Sequence, residues 1–147
     1  MGHTFLIEEG RWKLEGSWLE GNGMPIAVKG KTIVVWTEND WFIMVTKLVF
    51  PTSERQQISF QYRGRLPRGE RRYNYVLQQS TLGRIEGEGW IAPQSIVQRY
   101  WVLEDAQKRS GFETLYRIDE HTYHLSSAMM AGHYLNSTMD AVLARQA

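Results

Sequence analysis

Residues 8–23 read EEGRWKLEGSWLEGNG. Trp12, Leu14, Gly16 and Trp18 share one parity and Arg11, Lys13, Glu15 and Ser17 the other, the alternation of a strand with one dry and one wet face. The stretch closes on Gly21-Asn22-Gly23, residues that supply left-handed and tight-turn backbone. A first strand that turns Trp12 and Trp18 to one side predicts that both point inward.

The same period of two continues along the chain, bounded by Gly, Pro, Asn and Asp, and no long window carries a period of 3.6. Strands are predicted at Arg11–Leu19, Ile26–Thr37, Trp41–Phe50, Gln56–Arg65, Arg72–Gln79, Gly83–Ile91, Ser95–Glu104, Gly111–Asp119, Thr122–Met130 and Tyr134–Arg145. Short connections make neighbouring strands pair antiparallel as a meander, and about ten of them leave two sheet edges that closure removes. The predicted fold is all-β: a single closed antiparallel up-and-down barrel of about 8–10 strands with little helix. Residues 1–10, with Phe5, Leu6 and Ile7, are read as a plug or lead-in segment. The glycines at 83, 87 and 89 are expected to mark bends or close backbone approach in the sixth strand.

With 147 residues the chain is read as one domain, 1–147. Seventeen Lys plus Arg against sixteen Asp plus Glu give a net charge of +1. Such a balance offers no field for a phosphate backbone, so nucleic acid is not expected as a partner. The absence of cysteine removes disulfides, thiolate nucleophiles and sulfur-ligated metals. No apolar run approaches the ~20 residues of a membrane span. Residues 1–6 lack the pattern of a signal peptide, and Leu6 stands where a myristoylation motif has Ser or Thr. A cytoplasmic monomer or homodimer is the expectation.

Gly10-Arg11-Trp12 at the start of the first strand, ahead of a strand meander, resembles the Gly-x-Trp signature of the calycin superfamily, which includes the lipocalins and fatty-acid-binding proteins. Arg145 in the last strand strengthens the resemblance, which implies that a late basic residue packs across the first-strand Trp12 and closes the barrel. A guanidinium over an indole is a favourable cation–π arrangement. Gly111–Arg117 and Leu125–Ser127 are similar to the late strands of S-type phycobiliprotein lyases and of small bacterial lipocalin-like domains with no assigned ligand. The chain departs from secreted lipocalins in lacking a Thr-Asp-Tyr stretch and a cysteine pair.

These features imply binding of a small, largely hydrophobic molecule, fatty-acid-like or tetrapyrrole-like, in the barrel interior. Trp18, Trp36, Trp101, Arg99, Tyr116 and Arg117 are the expected ligand contacts, and Trp12 with Arg145 the structural closure. The strand around residue 99 is ambiguous, because Val97, Arg99 and Trp101 share one apolar face and Ile96, Gln98 and Tyr100 the other. Arg99 is either an internal anchor for a ligand carboxylate, the partner of Glu86, Glu88 or Glu113, or an outward-facing residue. Gln61, Gln79 and Ser126 are candidates for an internal polar network. Glu86 and Glu88, on one strand face, are read as solvated charge.

His121 and His124 fall on opposite faces of a strand and cannot chelate jointly, so no metal site is expected. His133 is expected at an exposed turn, and a tetrapyrrole remains a possible cofactor. No serine elbow or phosphate loop is present. Two other classes stay open: a bilin lyase or other barrel enzyme, and a protein-interaction module using outer aromatics.

Overall fold

The computed structural model describes residues 2–147; Met1, part of the plug segment read over 1–10, lies outside the described residues. Ten strands follow in chain order: β1 (Gly10–Glu20), β2 (Ile26–Trp36), β3 (Trp41–Val49), β4 (Ile58–Arg65), β5 (Arg72–Gln79), β6 (Gly83–Ile91), β7 (Ser95–Val102), β8 (Arg109–Asp119), β9 (Thr122–Ala131) and β10 (Tyr134–Gln146). Each pairs antiparallel with its neighbours in sequence, and β10 pairs with β1, so the sheet closes on itself. One 3-10 turn, Glu38–Asp40, is the sole helical element among the described residues.

Short connections force this order, and their residues carry the required backbone. Gly21, Gly69, Gly83 and Gly132 adopt positive φ, as do Asn39 and Asp40 at the β2–β3 corner.

Closure defines two rims. One collects the start of β1, the 66–71 loop, the β8–β9 turn and the C-terminus. The other collects the β1–β2 turn, the 50–57 loop, the β5–β6 turn and the β9–β10 turn. The N-terminal segment covers the first rim with Phe5 and Leu6, both buried. Phe5 packs edge-on to Trp12 at 5.3 Å between ring centroids, and Trp12 packs edge-on to Tyr123 at 5.5 Å. Polar bonds fix this cover. The Tyr123 hydroxyl accepts from the Thr4 amide (3.2 Å) and lies 2.6 Å from His3 Nδ1, while His3 Nε2 is 2.7 Å from the Ala92 carbonyl. Arg145 pairs with Trp12 in register, its guanidinium 5.8 Å from the Trp12 ring centroid, and donates to Glu8 (2.9 Å) and to the Glu9 carbonyl (3.0 Å).

Two rows of side chains circle the interior. In one, aromatic residues and glycines alternate through paired positions: Phe42, Gly64, Tyr75, Gly87, Tyr100 and Gly111. A Cβ at Gly87 would lie 2.3 Å from the Tyr75 ring, and one at Gly111 would lie 2.4 Å from the Tyr100 hydroxyl. The glycines let rings from adjacent strands lie flat on the wall, the close approach that a strand glycine permits. The second row runs Tyr73, Gly89, Gln98, Glu113, Ser127, Met139 and Trp18.

These rows settle the ambiguous face of β7. Ile96, Gln98 and Tyr100 are buried inside, so Val97, Arg99 and Trp101 stand on the outside. The expectation that Arg99 and Trp101 point into the barrel is corrected: their face carries apolar residues because Trp90, Val97, Phe112 and Met130 form an outer groove, not because it is core.

Candidate functional site

The interior is not completely filled. A pocket of about 80 Å³ runs from Phe5, above the covered rim, to Trp18, Arg55, Leu82 and Met129 near the other rim. That volume accommodates several waters at ~10–15 Å³ each, yet it is small against the ~300–1,000 Å³ of pockets for drug-sized molecules. Ten strands enclose more space than side chains alone require, and the Tyr75 and Tyr100 rings, seated against Gly87 and Gly111, occupy part of it.

Apolar side chains dominate the lining: Leu14, Met44, Leu48, Ile58, Phe60, Leu125, Met139 and Leu143. Several of its polar groups satisfy one another. Thr32 and Thr46 share a 2.8 Å hydroxyl bond, and Gln79 Oε1 accepts from Thr81 and from the Leu82 amide. Glu113 is different. Its Oε1 accepts from the Tyr62 hydroxyl (3.0 Å) and from Gln98 Nε2 (3.4 Å), and Gln98 Oε1 in turn accepts from Tyr73 (2.7 Å). No described residue hydrogen-bonds Oε2, and no cation pairs with the carboxyl.

Glu113 is half-buried because its accessible area faces the pocket. Removal from bulk water pushes its carboxyl up to about 7, against the smaller opposing effect of the Tyr62 and Gln98 bonds. The surrounding phenols of Tyr62, Tyr73, Tyr75 and Tyr100 are held above the ordinary tyrosine range, chiefly by burial and then by the Glu113 charge. They remain neutral near pH 7.

At the open rim Arg55 forms an ion pair with Glu20 and lies 5.0 Å from the Trp18 ring centroid and 5.2 Å from that of Phe50. Trp18 donates to Glu20 at 2.9 Å. Arg55 is thus the one basic residue on the pocket wall, and its charge is already matched by a carboxylate.

Of the six expected ligand contacts, the structure places only Trp18 on this wall. Trp36 lies toward the covered rim and donates to the Leu6 carbonyl at 2.8 Å. Arg117 has the inward parity of Leu115 but sits one step nearer the covered rim, beside Tyr123, and is not on the wall. Tyr116 is 52% exposed on the outer face. Trp101 faces outward, and Arg99, its side chain 61% exposed, lies 3.5 Å from Glu88 and 5.5 Å from the Trp101 ring centroid. The reason is common to the outer tryptophans: Trp41 and Trp90 are likewise capped, by Arg63 at 4.6 Å and Arg72 at 5.2 Å. Arginine stems shield these rings from water, so a tryptophan can stand outside without a ligand.

Of the residues expected to form an internal network, Gln79 lines the pocket while Gln61 is exposed and Ser126 bonds Asp140 on the outside at 3.4 Å. His124 contacts Asp140 at 2.7 Å, and His121 and His133 are exposed. Among the described residues no three His, Cys, Asp or Glu converge, and no helix is long and apolar enough to cross a membrane.

Glu113, Gln98 and Arg55 were missed as wall residues. Glu113 has the parity of Gly111 and Leu115, a signal available from sequence once the glycines are read as seats for cross-strand rings. Arg55 lies in a loop, where no periodicity operates.

Fold and pocket together define a calycin-like β-barrel with a polar group set inside an apolar wall. Solved structures share the fold. Over 94% of this chain and 92% of the other, it is similar to Rv2717c from M. tuberculosis, with a TM-score of 0.73 and 16% sequence identity. Over 95% of this chain and 89% of the other, it is similar to the S-type phycobiliprotein lyase CPES from Guillardia theta, with a TM-score of 0.65 and 13% identity. No family model and no curated protein matches the sequence.

Proposed function

We propose that the barrel binds a small, slender and largely hydrophobic molecule in its interior, without catalysis. The observation that carries this reading is the unfilled apolar pocket with the Glu113 carboxyl set in its wall, one of whose oxygens has no protein partner among the described residues. A void lined only by apolar groups is a packing defect, whereas a polar atom held without a protein partner orients whatever occupies the space. The ligand's apolar body is desolvated among Leu14, Met44, Leu48, Leu125 and Met139, and Trp18 and Arg55 flank its passage at the open rim. The fold similarity to known barrels supports the reading only at the level of architecture. A carboxylate held by Arg99 or Arg117 is not part of it, since neither residue is on the wall.

Native mass spectrometry of the purified protein, before and after exposure to straight-chain alcohols of graded length, tests the proposal. One-to-one adducts that persist at low collision energy are the expected result. Absence of any adduct, with no change in thermal stability, would overturn it.

A second reading, action on a bilin, is favoured by the similarity to the lyase from Guillardia theta. It requires the pocket to enlarge well beyond 80 Å³, because a tetrapyrrole is at least drug-sized. A coloured complex on coexpression with a bilin, able to pass the pigment to an acceptor protein, would establish it.

A further inference from the structure

Resting on the pocket-binding reading above, we infer that the pocket selects ligands whose polar end is a protonated amine, held by Glu113. The wall offers one group capable of full negative charge, Glu113, and its only basic residue, Arg55, is matched by Glu20 at the rim. Both protein hydrogen bonds to Glu113 fall on Oε1. Oε2 has no protein partner among the described residues, and Glu113 lies on the pocket wall. An ammonium group there replaces the missing counter-ion, and charge-assisted bonds of this kind are stronger than neutral ones.

The rings around the carboxyl add to the preference. Tyr62 and Tyr100 line the same stretch of wall, and the negative face of an aromatic ring attracts a cation and repels a carboxylate. A fatty acid presents the opposite charge to both. The apolar wall toward Phe5 and Leu143 receives the hydrocarbon part.

The groups facing Glu113 are Tyr62 from β4, Tyr73 and Tyr75 from β5, Gln98 and Tyr100 from β7, and Ser127 beside it on β9. None of these titrates between pH 6 and 8, and no histidine lines the pocket. Ammonium binding over that range thus follows the ionisation of Glu113 alone, because the amine itself remains protonated.

The test compares n-octylamine, 1-octanol and octanoate by calorimetric titration on the intact protein. Octylamine is expected to bind on the order of tenfold more tightly than octanol at pH 8, with octanoate weakest. Its affinity should rise from pH 6 to pH 8 while that of octanol stays level. Glu113→Gln should bring amine and alcohol to parity, a ratio measured within one protein and so independent of small stability changes. The wild-type pH profile makes the same distinction without a variant. Equal affinities for amine and alcohol, or an amine affinity that falls with rising pH, would overturn this inference while leaving the pocket-binding reading intact. Failure of all three compounds to bind would overturn both.

Discussion

Trp12 and Trp18 sit six residues apart on the same inward face of β1, yet they belong to different kinds of interior. Around Trp12 the barrel is finished: Phe5, Leu6 and Tyr123 pack on the ring, Arg145 crosses it, and the hydroxyl of Tyr123 and both nitrogens of His3 find partners. Around Trp18 it is not. The ring adjoins open space, and further along the wall a carboxyl oxygen has no protein partner. The difference teaches that one strand pattern serves both stability and binding, and that close packing around the ring, rather than aromatic content or polar satisfaction, separates the two regions. Trp12 is tightly packed although its Nε1 has no hydrogen-bond partner among the described residues, whereas Trp18 Nε1 is bonded to Glu20 beside open space.

Breaking the finished end should have the largest effect. Trp12→Ala removes a wholly buried indole and is expected to cost about 3–5 kcal/mol in urea denaturation. The same replacement at Trp18 should cost less, because its loss extends an existing void rather than opening a new one.

Glu113→Gln probes the unfinished region. Burial raises the folded carboxyl from 4.5 to about 7, so the wild type is relatively most stable below pH 4.5, where the group is protonated folded or unfolded. That advantage is lost as pH rises toward 7, by on the order of 3 kcal/mol. Urea denaturation of wild type and variant should therefore agree near pH 4 and diverge toward pH 8, with the glutamine form the more stable. A constant difference across pH would remove Glu113 from the account.

A smaller effect is expected from Tyr123→Phe, which strands His3 and the Thr4 amide at the covered rim. About 1–3 kcal/mol should be lost in thermal or urea unfolding, with octanol affinity little changed. Smallest of all, Arg99→Ala removes an exposed pair with Glu88 and should alter both stability and ligand affinity negligibly, within about 0.5 kcal/mol.

Much of the architecture was legible in the sequence. All ten strands lie within two residues of their predicted limits, because alternation and turn chemistry are local signals. Closure and the calycin-like fold followed from the meander and from Gly10-Arg11-Trp12 with Arg145. The site was less legible, for a physical reason. Parity identifies two faces but not which is inside when both are apolar, and β7 is such a strand. Arg99 and Trp101 were expected inside, whereas Trp41, Trp90 and Trp101 all stand outside under arginine. The register that pairs Tyr75 with Gly87 and Tyr100 with Gly111 assigns the faces. Pairing across strands is non-local, and a single chain read in order does not display it.

Five described methionines provide a direct test of where a ligand goes. Met44, Met129 and Met139 line the pocket, Met130 lies in the outer groove, and Met24 is exposed at the β1–β2 connection. With methyl-labelled methionine, NMR titration with 1-octanol should shift the resonances of Met44, Met129 and Met139 and leave Met24 and Met130 in place. Shifts confined to Met130 would put the ligand on the outside of the barrel and contradict the account.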